Sequence, residues 1–149
     1  MNTYNKQELD SILEQHKLWL ESKGGTRAVL GSADLSNLDL QGADLRRANL
    51  IRTNFSNSNL SGADMSDADA TYANFKNACL NDAIFRDADL RNANMSYAQM
   101  LNVDLHRADL YRTDFNNTSL NDGVLNNPSL SRTIIKLRDT SKPSCFTSQ

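Results

Sequence analysis

Residues 33–60 read ADLSNLDLQGADLRRANLIRTNFSNSNL, and a large apolar residue falls on every fifth position: Leu35, Leu40, Leu45, Leu50, Phe55 and Leu60. Stepping on by five gives Met65, Ala70, Phe75, Leu80, Phe85, Leu90, Met95, Met100, Leu105, Leu110, Phe115, Leu120, Leu125 and Leu130. Only Ala70 in this series is not large. Two residues before most centres sits a small residue, usually alanine, as at Ala33, Ala43, Ala48 and Ala63. Between the two stands Asp or Asn in most units, as in Ala43-Asp44-Leu45.

A period of five suits neither a helix at 3.6 residues per turn nor a strand at 2. It suits a chain that turns a corner every five residues and points one small and one large side chain inward per unit. The Asp or Asn before the large residue fits such a corner, because its short side chain bonds nearby backbone. An uninterrupted repeat of this kind is the signature of a solenoid.

The A-(D/N)-L-x-x pattern, carried over about residues 28–130, resembles the pentapeptide-repeat family. The resemblance implies an all-β solenoid: a right-handed quadrilateral β-helix of four units, or 20 residues, per coil and about five coils. At roughly 4.8 Å per coil the rod is about 24 Å long. The sequence agrees with a 20-residue coil, since Phe55, Phe75, Met95 and Phe115 then stack in one inner column above Leu35. Ala70 should leave a gap in a column otherwise built from Leu50, Leu90, Leu110 and Leu130.

The ends read differently. Leu9, Ile12, Leu13, His16, Trp19 and Leu20 recur at helical spacing, which predicts an amphipathic helix within an N-terminal capping segment, residues 1–27. Asn5 is placed to cap it, with Glu8 three residues on, and Gly24-Gly25 to end it. This segment resembles the N-terminal helix of short bacterial and phage pentapeptide-repeat proteins. Toward the far end Gly123 and Pro128 replace the small inward residue. Residues 131–149 read as a C-terminal cap followed by a flexible tail, with Ile134, Ile135 and Leu137 a candidate strand for pairing two copies into a homodimer.

The 149 residues carry a net charge of −2, unevenly spread. Residues 28–130 hold 8 basic and 13 acidic side chains, while residues 131–149 hold four basic and one acidic. No apolar run is long enough to span a membrane, and the N-terminus has no basic-then-apolar leader, so the expected location is cytoplasmic. Cys79 and Cys145 have no motif spacing. A structural thiol is expected at Cys79, in the usual Asp/Asn slot.

Nothing in the sequence assembles chemistry. His16 lies on the packing face of the helix and His106 on an outward position, with no ligand at metal spacing. The many aspartates recur at structural intervals, and neither a phosphate-binding glycine loop nor a Ser/His/Asp set is present. The expectation is therefore a protein that is not an enzyme and needs no cofactor or metal.

The outward positions are more informative. On a 20-residue coil, all seven solenoid arginines fall on two adjoining faces. One displays Ile51, Arg52, Tyr72, Arg91, Tyr111 and Arg112, and the other Arg46, Arg47, Arg86, His106 and Arg107. Arg and Tyr are enriched at protein interfaces. Asp64, Asp67, Asp69, Asp87, Asp89, Asp104 and Asp109 share these faces, so an internally neutralised salt-bridge surface is the alternative. The expected function is a protein–protein interaction module with a protein partner. The family resemblance adds a second possibility, DNA mimicry directed at a type II topoisomerase, although a rod at −5 is a sparse mimic. Direct nucleic-acid binding is not expected for so acidic a body.

Overall fold

The computed structural model describes residues 1–128 and 130. Its elements are β1 (Asn2–Thr3), α1 (Lys6–Leu20), β2 (Ala33–Asp34), β3 (Gln99–Met100), β4 (Ser119–Leu120) and α2 (Asp122–Leu125). Conventional strands are scarce because each unit contributes only one or two extended residues before the next corner. The repeat's order lies in its pairing: Val29 with Asn49, Asp34 with Asn54, Asp39 with Asn59, Asp44 with Asp64, and so on to Asn94 with Asp114, all parallel. Every pair is 20 residues apart, and the pairs fall into four ladders. The chain is thus a parallel β-helix type of solenoid with a 20-residue coil.

Most units are wired in the same way. The large residue donates its N–H to the coil above, as in Leu50 N–H to the Asp69 carbonyl at 2.7 Å, and the corner residue two positions on does likewise, as in Arg52 to Thr71 at 2.9 Å. The Asp or Asn donates to the coil below, as in Asp69 to Ala48 at 3.1 Å. Its side chain then accepts the amide two residues on: Ser56 to Asn54 at 3.1 Å, Thr71 to Asp69 at 3.1 Å, Tyr111 to Asp109 at 3.1 Å. That bond is the reason this slot takes Asp or Asn. The aspartates are corner braces.

Inside, the large residues are fully buried and fill the prism. Phe55 and Phe75 stack at 5.0 Å with their planes 8° apart, as two members of one inner column should. Phe85 meets Phe75 edge-on across the middle at 5.8 Å. Where Thr replaces the small alanine, its buried hydroxyl is satisfied by a carbonyl, as in Thr53 to Leu30 and Thr113 to Leu90, both at 2.8 Å. Among the described residues no buried side-chain polar atom lacks a partner. Cys79 departs from expectation: it is buried but disulfide-bonded rather than a free thiol.

At the N-terminus Asn5 caps α1 with a reciprocal pair of bonds to Glu8, each 2.9 Å. Gly25 is obligatory below the helix: it has φ +74°, and a Cβ there would lie 2.2 Å from the Gln15 carbonyl oxygen. Leu9 joins the solenoid core, and Ile12 and Leu13 pack against it. Unforeseen from the sequence, β1 adds a parallel strand beneath the first coil, Asn2 against Ala33 and Thr3 against Asp34. At the other end the five-residue series runs on in sequence, but after β4 the backbone turns into α2, with Asn121 at its start. The candidate dimer strand Ile134, Ile135 and Leu137 lies outside the described residues. No described helix is long and apolar enough to cross a membrane.

Candidate interaction face

Every five residues the chain makes a four-residue turn closed by a backbone bond, for example Thr53 N–H to the Leu50 carbonyl at 3.1 Å. The third residue of each turn has a positive φ, between 55° and 68° throughout the solenoid. That is the type II turn arrangement, which favours Gly or Asn because other side chains crowd the backbone there. The coil stacks these corners into four columns, and two obey the preference closely. One carries Gly42, Gly62, Asp82 and Asn102, and another Asn37, Asn57, Asn77, Tyr97 and Asn117.

The remaining two columns break it. One carries Ser32, Arg52, Tyr72, Asn92 and Arg112, and its neighbour Arg47, Asp67, Asp87 and Arg107. These are the corners of the two arginine-bearing faces. Holding a long side chain at such a corner costs on the order of 1 kcal/mol. A sequence reader could have found this signal, since the third slot of the repeat is visibly rich in Gly and Asn wherever it is not Arg or Tyr.

The structure divides the predicted face by what each cation touches. Arg46 forks onto Asp44 at 2.7 Å, and Arg91 onto Asp89 at 2.6 Å with Asp109 at 3.7 Å. Arg107 pairs with Asp87 at 2.9 Å, and Arg86 with Asp104. The bond from Arg46 holds the Asp44 carboxyl below its usual range, and Arg91 does the same for Asp89. Burial alone would raise Asp104, but the Arg86 bond and the His106 amide hold it down. These four arginines form the neutralised surface that was the alternative expectation.

The other three arginines have no ion pair among the described residues and lie instead over aromatic rings. Arg52 sits 5.3 Å from the Tyr72 ring centre, Arg112 5.3 Å from Tyr111, and Arg47 5.0 Å from Trp19 of α1. Tyr72 and Tyr111 are 55% and 45% exposed, values more typical of a contact surface than of a core aromatic. Ile51, beside Arg52, is half-buried, and His106 is exposed. Arg52, Tyr72 and Arg112 therefore run up one corner of the rod, with Ile51 and Tyr111 alongside. A guanidinium lying against a ring keeps its N–H edge free for a carboxylate or carbonyl of a partner. Tyr97, on an asparagine column, is a further exposed ring, with Lys76 5.9 Å from its centre.

No group of three His, Cys, Asp or Glu among the described residues could hold a metal ion. An open cleft of about 1090 Å³ lies between β1 and α1, lined by Met1, Tyr4, Glu8 and Ile12 among others. It holds no acid–base pair and lies away from the arginine faces.

The pentapeptide-repeat family model, in 8 copies, matches residues 26–62, 48–87 and 83–122. Among solved structures, the chain is similar to the pentapeptide repeat protein Rfr23 of the cyanobacterium Cyanothece 51142, at 27% identity and a TM-score of 0.55. The match covers 72% of this chain and 64% of that one, so this chain spans less than two thirds of that relative. It is also similar to alr5209, a pentapeptide repeat protein of Nostoc, at 26% identity and a TM-score of 0.46, covering 85% of this chain and 96% of the other. Comparison with curated proteins returns no match. With the family model covering well over half of the residues and the 20-residue pairing beneath it, the chain belongs to the pentapeptide-repeat family.

Proposed function

We propose that this protein is a non-catalytic binding module that grips a protein partner along the corner column of Arg52, Tyr72 and Arg112, with Ile51 and Tyr111 beside it. The scaffold in this reading is a right-handed quadrilateral rod of about five coils closed at its first coil by α1. One observation carries the proposal. Large cationic and aromatic side chains occupy left-handed corners where Gly and Asn stand elsewhere in the same molecule. Local strain persists where something other than folding favours it. The ion-paired arginines, Arg46, Arg86, Arg91 and Arg107, then serve as the neutral flank of the site. In affinity capture from the native host, Tyr72→Ser with Tyr111→Ser should lose the partner while the Arg86→Ala variant keeps it. Equal recovery by both would reject the assignment of the edge.

DNA mimicry needs carboxylates spread densely along a rod. Here Asp44, Asp87, Asp89 and Asp104 are tied to arginines. A supercoiling assay with purified gyrase separates the two readings: the binding-module proposal predicts neither inhibition nor protection.

A further inference from the structure

Among the described residues, His16 is the one titratable side chain with no exposed surface whose proton is free to come and go. Both of its ring nitrogens are used. Nδ1 accepts the Ala28 amide at 3.0 Å, and Nε2 lies 2.9 Å from the Arg46 carbonyl. An amide N–H can only donate, so Nδ1 carries no proton, and Nε2–H must be the donor to Arg46. A single neutral tautomer thus ties three segments together: α1, the linker at Ala28 and the first coil at Arg46.

A proton added at Nδ1 would face the Ala28 N–H donor to donor. The groups around the ring offer an imidazolium little help. Arg27 from the linker and Arg46 from the coil are cations. Asp44, the one anion facing it, is already forked onto Arg46 at 2.8 and 2.7 Å. From its own helix the ring receives Trp19, stacked at 5.6 Å, whose other contact is the Arg47 guanidinium. We propose that His16 is an acid-sensitive latch: with a neutral ring α1 stays docked on the first coil, and in mild acid protonation of Nδ1 releases it. Release withdraws Leu9 from the shared core and opens the lower rim of the first coil to a second chain, since an uncovered strand edge invites pairing.

Burial drives the His16 pKa below its ordinary value, with the Arg46 carbonyl and Asp44 opposing. The undocked helix therefore binds the proton more readily than the docked one. Docking keeps its full strength above about pH 6.5 and weakens about tenfold per pH unit below that, until the docked ring itself protonates. The latch is independent of the Arg/Tyr edge.

Trp19 is the only tryptophan in the chain and lies against the latch, so its emission reports docking directly. The full-length protein is titrated from pH 8 to 5, with far-UV circular dichroism following the coils and sizing following association. The latch predicts a red shift of Trp19 in a step below about pH 6.5, with coil signal retained and larger species appearing. His16→Gln should be flat, because its amide can accept from Ala28 and donate to Arg46, whereas His106→Gln should behave as wild type. Should His16→Gln fold poorly, NMR of the wild type decides, with the Ala28 amide shifting in step with the His16 ring. An unchanged Trp19 down to pH 5, a step that survives in His16→Gln, or a His16 titration that leaves the Ala28 amide unmoved would each overturn the latch.

Discussion

Two corners of the same rod solve one conformational problem in opposite ways. At the column of Gly42, Gly62, Asp82 and Asn102 the sequence yields to the backbone, placing residues that accept positive φ cheaply. At the column of Arg52, Tyr72 and Arg112 the backbone is the same, with φ near 58°, but the residues are those that resist it. The hydrogen bonds between coils are alike on both: Gly62 to Asn81 at 2.9 Å and Tyr72 to Arg91 at 3.0 Å. Folding therefore does not ask for Arg or Tyr at those corners. The difference isolates what the surface contributes from what the scaffold requires, which single-copy folds rarely permit.

The comparison can be broken most severely by exchanging the solutions. Gly42 and Gly62 have no heavy atom within 4 Å of where a Cβ would stand, so any penalty there is conformational and not steric. Gly42→Tyr with Gly62→Tyr should cost about 2–4 kcal/mol, seen as a lower midpoint in urea unfolding. An unchanged midpoint would mean that these corners carry no strain. Inside the rod, Ala70 is the small residue in a column of leucines, and Ala70→Leu should raise the melting temperature by roughly 2–4 °C, a gain of about 1 kcal/mol. A clear fall would show that neighbouring side chains already fill the space. The smallest effect belongs to the ion-paired flank. Arg86→Ala with Arg107→Ala removes two exposed pairs and should leave the urea midpoint unchanged even in low salt.

The coil was legible because the same inward slots recur unit after unit, so each column could be checked against the next. Stacked Phe55 and Phe75 follow from that arithmetic. The start of the helix was legible too, since Asn5 and Glu8 act locally, whereas its end falls at Leu20, with Ser22 taking the first left-handed turn ahead of the expected Gly24-Gly25 pair. What escaped was non-local or shape-dependent. Two residues of β1 carry no periodicity, and their pairing with Ala33–Asp34 depends on the whole of α1 folding back. The partition of the arginines escaped as well. Arg91 and Arg112 occupy equivalent faces in the sequence, yet one finds Asp89 within reach and the other finds the Tyr111 ring. Only distances separate an ion pair from a cation held against a ring. The two bonds of His16 were equally hidden, because Ala28 and Arg46 lie 12 and 30 residues away.

Arg52→Asn, Tyr72→Asn and Arg112→Asn combined in one variant test the central claim most directly, with melting temperature and partner recovery read on the same preparation. Relief of three corners, less the lost cation–ring contacts of about 0.5–1 kcal/mol each, should leave a variant at least as stable as the parent and up to roughly 2–6 °C higher in melting temperature. The same variant should no longer recover the partner. A lower melting temperature together with undiminished recovery would contradict the account, because those side chains would then be serving the fold and not the contact.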